Sequence, residues 1–482
     1  HGVLFRGNAE AEIRRNLVRK GYIKGIIGLP ANLFYGTGIP ACIIVIDKEN
    51  AHTRKGIFMI DASAGFMKDG PKNRLRARDL HKIVDVFSKA QDVKKYARMV
   101  SLAEIERNEF NLNLPRYIDS QEAEDVQDIA AHLQGGIPTV DVDAMQQYWE
   151  RFPSLRSRLF RDLRPGYVEM TIPASKLKET IFAHPEFSDF MTEMDLHFAH
   201  WRDEKAASLR GFGAGLLPKE QIERLGADLL RHYTGVPLVD RYAIYQHLQD
   251  YLDETMRDDF YLIAVDGWQA ETARIIEVDK KGKEKDKGWT CDLLPKSLVV
   301  AHYFAAEAAA LDALNAELES ASARKAELEE EQGGDEGAFA ELERVNKAGV
   351  SARVKELRVE SGELRADSEE LAALEEWLVL YEEEARLKKA IKAAEAELDA
   401  AAYAQYPKLS EDEIKRLVVD EKWLATLATA IQAEMERISQ HLTQRLKELA
   451  ERYATPLPQM NAEVAELEEK VNRHLERMGF LW

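Results

Sequence analysis

Apolar residues first recur four apart, at Ile13 and Leu17, within a stretch from Glu10 to Lys20 that Gly21 ends. That spacing predicts a short amphipathic helix. Just ahead of it, Gly2-Val3-Leu4-Phe5 reads as the end of an apolar strand. The period then changes. Ile23 to Leu29, Ala41 to Asp47 and Gly56 to Asp61 are runs apolar on both faces, the pattern of strands buried in the middle of a covered sheet. Residues 30–40, Pro-Ala-Asn-Leu-Phe-Tyr-Gly-Thr-Gly-Ile-Pro, form a loop punctuated by Pro and Gly. Two or three strands are too few for a complete doubly wound domain, so the sheet is expected to need strands from outside this sequence. Residues 65–106 read as mixed helix and loop. Residues 107–118 read as extended, because Pro115 disfavours a helix at the residue before it.

Gly135-Gly136-Ile137-Pro138 reads as a linker. From about 139 to 265 the pattern is mostly helical, interrupted at Arg164-Pro165-Gly166 and from Gly211 to Gly215. Phe260 to Val265 and Ala273 to Ile276 look strand-like, and the charged segment from Lys280 to Lys287 reads as a solvated hairpin tip rather than a DNA patch. From Phe304 to Leu398 the composition shifts to Ala, Glu, Leu, Lys and Arg. Leu311, Leu314, Leu318, Ala321 and Leu328 follow the 3-and-4 spacing of a coiled-coil seam. The seam breaks at Gly333-Gly334-Asp335-Glu336-Gly337 and resumes through Val350, Val354, Leu357, Leu364, Leu371, Leu374, Leu378, Tyr381 and Ala385. A helix, a glycine turn and a second helix predict an antiparallel coiled-coil arm. The last stretch holds further helices, with Ser410 and Glu413 spaced as a capping box and Leu442–Tyr453 and Val464–Leu475 amphipathic. The expected fold is therefore α/β followed by a mainly α region, in two or three structural units, since 482 residues exceed one compact core.

Charge sharpens this division. Residues 1–116 hold 21 Lys and Arg against 12 Asp and Glu, a balance of +9 within a chain of formal net charge −19, so the remainder carries −28. A basic head on an acidic body suits a protein of which one part faces phosphates, although an uneven surface alone produces the same balance. No apolar run approaches the roughly 18 residues a membrane span needs, and the first residues lack the layout of a signal peptide. The sequence opens on His1 rather than Met, which suggests that it starts inside a longer product. Cys42 and Cys291 are expected to be buried free thiols of a reducing, cytoplasmic setting.

Catalytic patterns are missing. The sequence has no GxGxxG, P-loop, GxSxG, HExxH or CxxC, so neither a catalytic set nor a metal site can be assembled from it. The acidic clusters at 327–331 and 382–384 read as solvated helix faces, and His81, His232, His247 and His302 stand singly as structural histidines. Gly36-Thr37-Gly38 is a lone GxG. The loop that contains it still matters, because in open α/β sheets ligands bind at strand ends. Phe34 and Tyr35 either pack back onto the sheet or stay exposed, where they could stack on a nucleobase.

Several segments together resemble one family. Residues 2–8 (Gly-Val-Leu-Phe-Arg-Gly-Asn), Ile27 to Ile46, Asn108 to Tyr117, Ile181 to Phe187, Asp259 to Ile263 with Asp266-Gly267-Trp268, and Tyr406 to Leu424 look like the modification subunit of type I restriction–modification systems. The resemblance runs over essentially the whole chain, in the family's order. It implies an S-adenosylmethionine-dependent enzyme that methylates N6 of adenine in DNA. It also implies work with a specificity subunit, a second methyltransferase subunit and a restriction subunit. The family's cofactor loop and its Asn/Asp-Pro-Pro-Phe/Tyr motif are not in this sequence, so no catalytic or cofactor-binding residue carries over. What the match implies is the C-terminal part of a Rossmann-like class I methyltransferase sheet over 1–118. A helical region with a short β element follows at 119–302, then the coiled-coil arm at 303–402 and a helical assembly region at 403–482. Phe34, Tyr35, Thr37 and Arg6 are the candidate target-base or DNA contacts. The competing reading is a non-enzymatic scaffold for a multisubunit DNA-binding complex.

Overall fold

The computed structural model describes residues 2–120, 127–278, 282, 284–334, 337–340, 342, 344–360 and 369–480. The first sheet contains β1 (Ile23–Gly28), β2 (Cys42–Ile46), β3 (Gly56–Asp61) and β6 (Ala97–Ser101), in the order β2-β1-β3-β6. β1 and β3 are parallel, with Gly28 opposite Asp61, whereas β2 and β6 run antiparallel to their neighbours. Among the described residues the sheet therefore has four strands and is mixed, against the two or three strands the pattern suggested. The strand missed by sequence, β6, reads Ala-Arg-Met-Val-Ser. Its guanidinium at Arg98 is held by Glu104 and the Tyr117 carbonyl, so a charged residue sits in a strand without marking it as loop.

Alternation along the strands builds two cores. Ile26, Ile57 and Met59 face one side with Leu4, Val18 and Leu112, and Ile27, Phe58 and Ile60 face the other with Ile83 and Val86. Helix α1 (Asn8–Arg19) supplies Val18 to the first core and α2 (Ala77–Lys89) supplies Ile83 and Val86 to the second. Both faces of β1 and β3 are thus covered, as their uniformly apolar sequences require. β2 departs from expectation. It is the edge strand, Ile43 and Ile46 are 47% and 55% exposed, and Cys42 is only partly buried. Being apolar on both faces made it look central, but among the described strands it has a neighbour on one side alone.

Residues Gly2–Leu4 form a 3-10 turn, not a strand end. Three apolar residues carry no periodicity. The turn is fixed by Arg14, whose guanidinium donates to the carbonyls of Val3, Arg6 and Phe110. The supposed linker at 135–138 contains β7 (Ile137–Pro138), which pairs with β9 (Tyr167–Met170) beside β8 (Phe160–Arg164). Gly136 takes φ +91°, which lets the chain turn into that small sheet. A short hairpin, β4 (Met67–Asp69) with β5 (Lys72–Arg74), lies in the stretch expected to be helix and loop.

Contacts divide the chain into two units, His1–Lys205 with Leu217–Asp258 and Thr426–Trp482, and Ala206–Leu216 with Asp259–Ala425. The first unit adds longer helices to the sheets, among them α3 (Pro218–His232), α4 (Arg241–Tyr251) and, at its C-terminal end, Ala425–Arg452. In the second unit, Phe260–Val265 is helical, part of a helix over Arg257–Asp266, and not strand. Phe260 and Ile263 are buried while Tyr261 and Val265 are exposed, the three-residue spacing of a helix face that a six-residue apolar run conceals. Ala273–Val278 (β10) does form a strand, antiparallel to Glu284–Thr290 (β11), so much of the charged segment is strand, while residues 279–281 and 283 lie outside the described residues.

The described residues of the Ala- and Glu-rich region form the helices α5 (Ala305–Glu331), α6 (Lys347–Glu360) and α7 (Glu369–Gln405). α5 and α7 run antiparallel: Glu329 accepts from Trp377 at 2.7 Å and Lys325 pairs with Glu384 at 2.8 Å. Leu328, Phe339, Val350, Val354, Leu374 and Trp377 make their common core. An intervening helix and a buried Phe339 replace the simple glycine turn. The seam position Leu364 falls outside the described residues.

Candidate nucleic-acid interface

Residues 29–41 connect the carboxyl end of β1 to β2. The hydrogen bond from Leu29 N–H to the Ala41 carbonyl, 3.0 Å, closes the base of the loop. Asn32 at φ +55° and Gly36 at φ +79° turn the chain, and the Ile39 N–H donates to the Thr37 hydroxyl oxygen at 3.1 Å. The Thr37 side chain therefore shapes the loop itself. Leu33 packs into the core beside α2, which anchors one side. Phe34 is then left 55% exposed and Tyr35 94% exposed. Of the two alternatives, packing back or standing clear, the rings stand clear.

The hairpin β4–β5 grips this loop from beneath. Asn73 donates its side-chain N–H to the Ala31 carbonyl at 2.7 Å and its backbone N–H to the Asn32 carbonyl at 2.9 Å. Lys72 donates to the Phe34 carbonyl at 2.7 Å, and its ammonium lies 5.9 Å from the centre of the Tyr35 ring. Asn73 is buried, and its Oδ1 has no hydrogen-bond partner among the described residues. Sequence reasoning missed Lys72 and Asn73, since a three-residue hairpin strand carries too little pattern to be seen. The one available signal was the Asp69-Gly70 pair, a hairpin-turn dipeptide.

Arg6 is elsewhere. It follows the Gly2–Leu4 turn, whose Leu4 belongs to the core on the other face of the sheet, and its guanidinium lies 3.9 Å from Glu10. The structure thus brings Phe34, Tyr35 and Thr37 into one loop and separates Arg6 from them.

A pocket of about 230 Å³ lies at the carboxyl end of β3, lined by Asp61, Arg76, Asp79, Lys82, Tyr96 and Tyr242 among others. Several of its charged groups are already engaged within the protein. Asp61 accepts from Ser63 N–H at 3.0 Å and from the Ser120 hydroxyl at 2.6 Å. Asp79 accepts from the Arg76 guanidinium and backbone, and Lys82 lies 4.4 Å from the Tyr96 ring centre. Burial pushes the Tyr242 hydroxyl up to about 12, so it stays protonated and donates to Asp85.

Of the histidines that the sequence presents singly, His232 does not stand alone but belongs to a stacked pair. His81 stacks on Tyr245, and His197 and His232 stack at 3.9 Å while each ring nitrogen meets the other's backbone carbonyl. Burial lowers the pKa of both His81 and His232. His302 lies 3.2 Å from Glu421. Among the described residues no group of three or more His, Cys, Asp or Glu side chains is placed to hold a metal, and no single helix is long and apolar enough to cross a membrane.

Comparison with known proteins places these observations. Residues 1–126 match the family model described as N-6 DNA Methylase. A type I restriction enzyme methylase subunit, MjaVII, of Methanocaldococcus jannaschii is 37% identical over 137 residues, 28% of this chain and 24% of that protein. The MpnII methylase subunit of Mycoplasma pneumoniae is 33% identical over 128 residues, 27% of this chain and 23% of that protein. A crystal structure of the type I restriction-modification system methyltransferase subunit from Streptococcus thermophilus is 41% identical, covers 25% of each chain and has a TM-score of 0.24. The chain thus spans about a quarter of the length of the curated relatives it matches. Ile181–Phe187, Asp259–Trp268 and Tyr406–Leu424 lie outside the matched residues 1–126.

Proposed function

We propose, from the match of residues 1–126 to the N-6 DNA Methylase family model, that this chain is part of a type I modification subunit. The whole protein would transfer a methyl group from S-adenosylmethionine to adenine N6 in DNA, together with a specificity subunit and a restriction subunit. The residues present do not fit the cofactor by themselves. The sequence has no Gly-rich strand-to-helix turn, and the carboxylate at the end of β3, Asp61, is engaged by Ser63 and Ser120. No step through the cofactor is assigned to this chain.

One observation carries the reading: two uncovered aromatic rings, Phe34 and Tyr35, stand at the carboxyl end of a strand within the matched segment. An enzyme that modifies a base in duplex DNA takes that base out of the stack and holds it on an aromatic face. In this role Phe34 and Tyr35 supply the face, Lys72 fixes the loop through the Phe34 carbonyl, and Thr37 sets the turn. Arg6, on the other side of the sheet, contributes backbone structure through its carbonyl. The open side of β2, with Ile43 and Ile46 half-exposed, is where further strands of the methylase sheet would pair.

Stacking on a base contributes about 1–3 kcal/mol. Phe34→Ala and Tyr35→Ala in the intact subunit are therefore expected to lower methylation roughly 5- to 150-fold. The loss should appear with reduced fluorescence of 2-aminopurine at the target position. Unchanged turnover and unchanged fluorescence in both variants would end the proposal.

A further inference from the structure

The C-terminal helix α8 (Leu457–Arg477) has no buried residue, yet its apolar side chains are not scattered. Leu457, Met460, Val464, Leu467 and Val471 follow each other at intervals of 3, 4, 3 and 4, continued by His474 and Met478. The five apolar residues up to Val471 are 43%, 45%, 52%, 58% and 55% exposed. That is a three-heptad seam which the described residues leave about half exposed along its length. A helix of this length gains little from propensity alone and is stabilised by covering its apolar stripe.

We propose that the seam pairs with the same helix of a second copy of this chain, in antiparallel orientation. Charge decides the occupant. The residues flanking the seam are Asn461, Glu463, Glu468, Lys470, Leu475 and Arg477. In a parallel pair, Glu463 of each copy faces Glu468 of the other, which is repulsive twice over, and the two His474 rings are opposed. In the antiparallel pair, Val464 meets Leu467, Met460 meets Val471 and Leu457 meets His474. Glu463 then faces Lys470 on both sides of the two-fold axis, and Asn461 faces Glu468. The contact is self-complementary, as a two-fold interface must be. Lys470 now pairs with Glu466 on its own helix at 2.7 Å, but both side chains are more than half exposed. Such a pair is worth little, and its ammonium is free to exchange partners.

Sedimentation of the 482-residue chain at about 50 µM should show a reversible dimer, the affinity expected of so short a seam. Leu467→Glu should make it monomeric with the circular dichroism of the rest retained, since Leu467 is exposed in the single chain. Glu463→Lys and Lys470→Glu should each weaken the dimer roughly tenfold, and the double exchange should restore it. In a parallel pair Glu463→Lys would strengthen association instead. A chain that is monomeric at this concentration, a dimer indifferent to Leu467→Glu, or one tightened by Glu463→Lys would overturn the proposal. So would a helix of another protein that binds the seam while the chain alone stays single.

Discussion

Glu434 shows how a single residue's surroundings set its chemistry. It lies in the helix Ala425–Arg452 and is 7% exposed. Burial alone would raise its carboxyl. Arg437, bonded to it at 2.6 and 2.9 Å, and His247 at 3.6 Å outweigh that and hold it at about 2. The folded value is below the ordinary 4.5, so the contribution to stability is full above about 4.5 and is lost as pH falls from there towards 2. Its size is on the order of 3 kcal/mol at neutral pH. Urea midpoints measured from pH 7 to pH 3 should fall for the native chain and fall less for Glu434→Gln. Equal slopes would show that this carboxyl is not a source of the acid sensitivity. Phe34 and Tyr35 are the opposite case: both rings are largely exposed, and whatever they do depends on what arrives.

At the scale of elements, several segments singled out in the sequence turn out to be cores. Ile181–Phe187 contributes Phe187, packed edge-on against Phe152 and Phe182. Asp259 and the segment Tyr406–Leu424 meet directly, across 163 residues of chain in the case of Lys422: Lys422 donates to Asp259 at 2.8 Å and to the Leu293 carbonyl at 2.7 Å, and the Trp423 indole donates to Asp259 at 2.7 Å. The donors come from a π-helical stretch, Leu417–Leu424, whose wider turn aims Lys422 and Trp423 inward together. Lys422→Met removes the cation from a buried carboxylate and is expected to cost about 3–5 kcal/mol. Chemical unfolding followed by tryptophan fluorescence measures it. A loss under about 1 kcal/mol would mean that the pair contributes little to holding this stretch.

For the whole molecule, the basic head and the remainder carry opposite charge, +9 over residues 1–116 against −28 beyond, and the family match takes in that head. The head holds the exposed aromatic loop; the rest is mostly helix. A quarter-length match to the methylase subunits, with no cofactor loop in the sequence, leads to a plain expectation. This chain alone should bind S-adenosylmethionine no more tightly than millimolar, about −4 kcal/mol. Isothermal calorimetry giving micromolar affinity would show that a cofactor site is complete within these residues.

The sequence by itself determined whatever repeats locally. The buried strands at 23–28 and 56–61, the Ser410–Glu413 capping box and the amphipathic stretch Val464–Leu475 within the last helix were all legible, because each is a pattern confined to neighbours along the chain. The loop at 30–40 was legible as a loop from its Pro and Gly, but not which way Phe34 and Tyr35 would face. That was decided by Leu33 entering the core and by Lys72 and Asn73 holding the backbone from a hairpin some 40 residues on. Short apolar runs were undecided for the same reason: Gly2–Phe5 and Phe260–Val265 bury side chains equally well as strand or helical turn. Only the partners, Arg14 for the first and the packing of Phe260 on Phe212 and Trp423 for the second, selected the helical form. β2 reads as central because each of its residues is apolar or half-apolar, while its place at the edge is a property of the sheet's strand order, which no five-residue window contains.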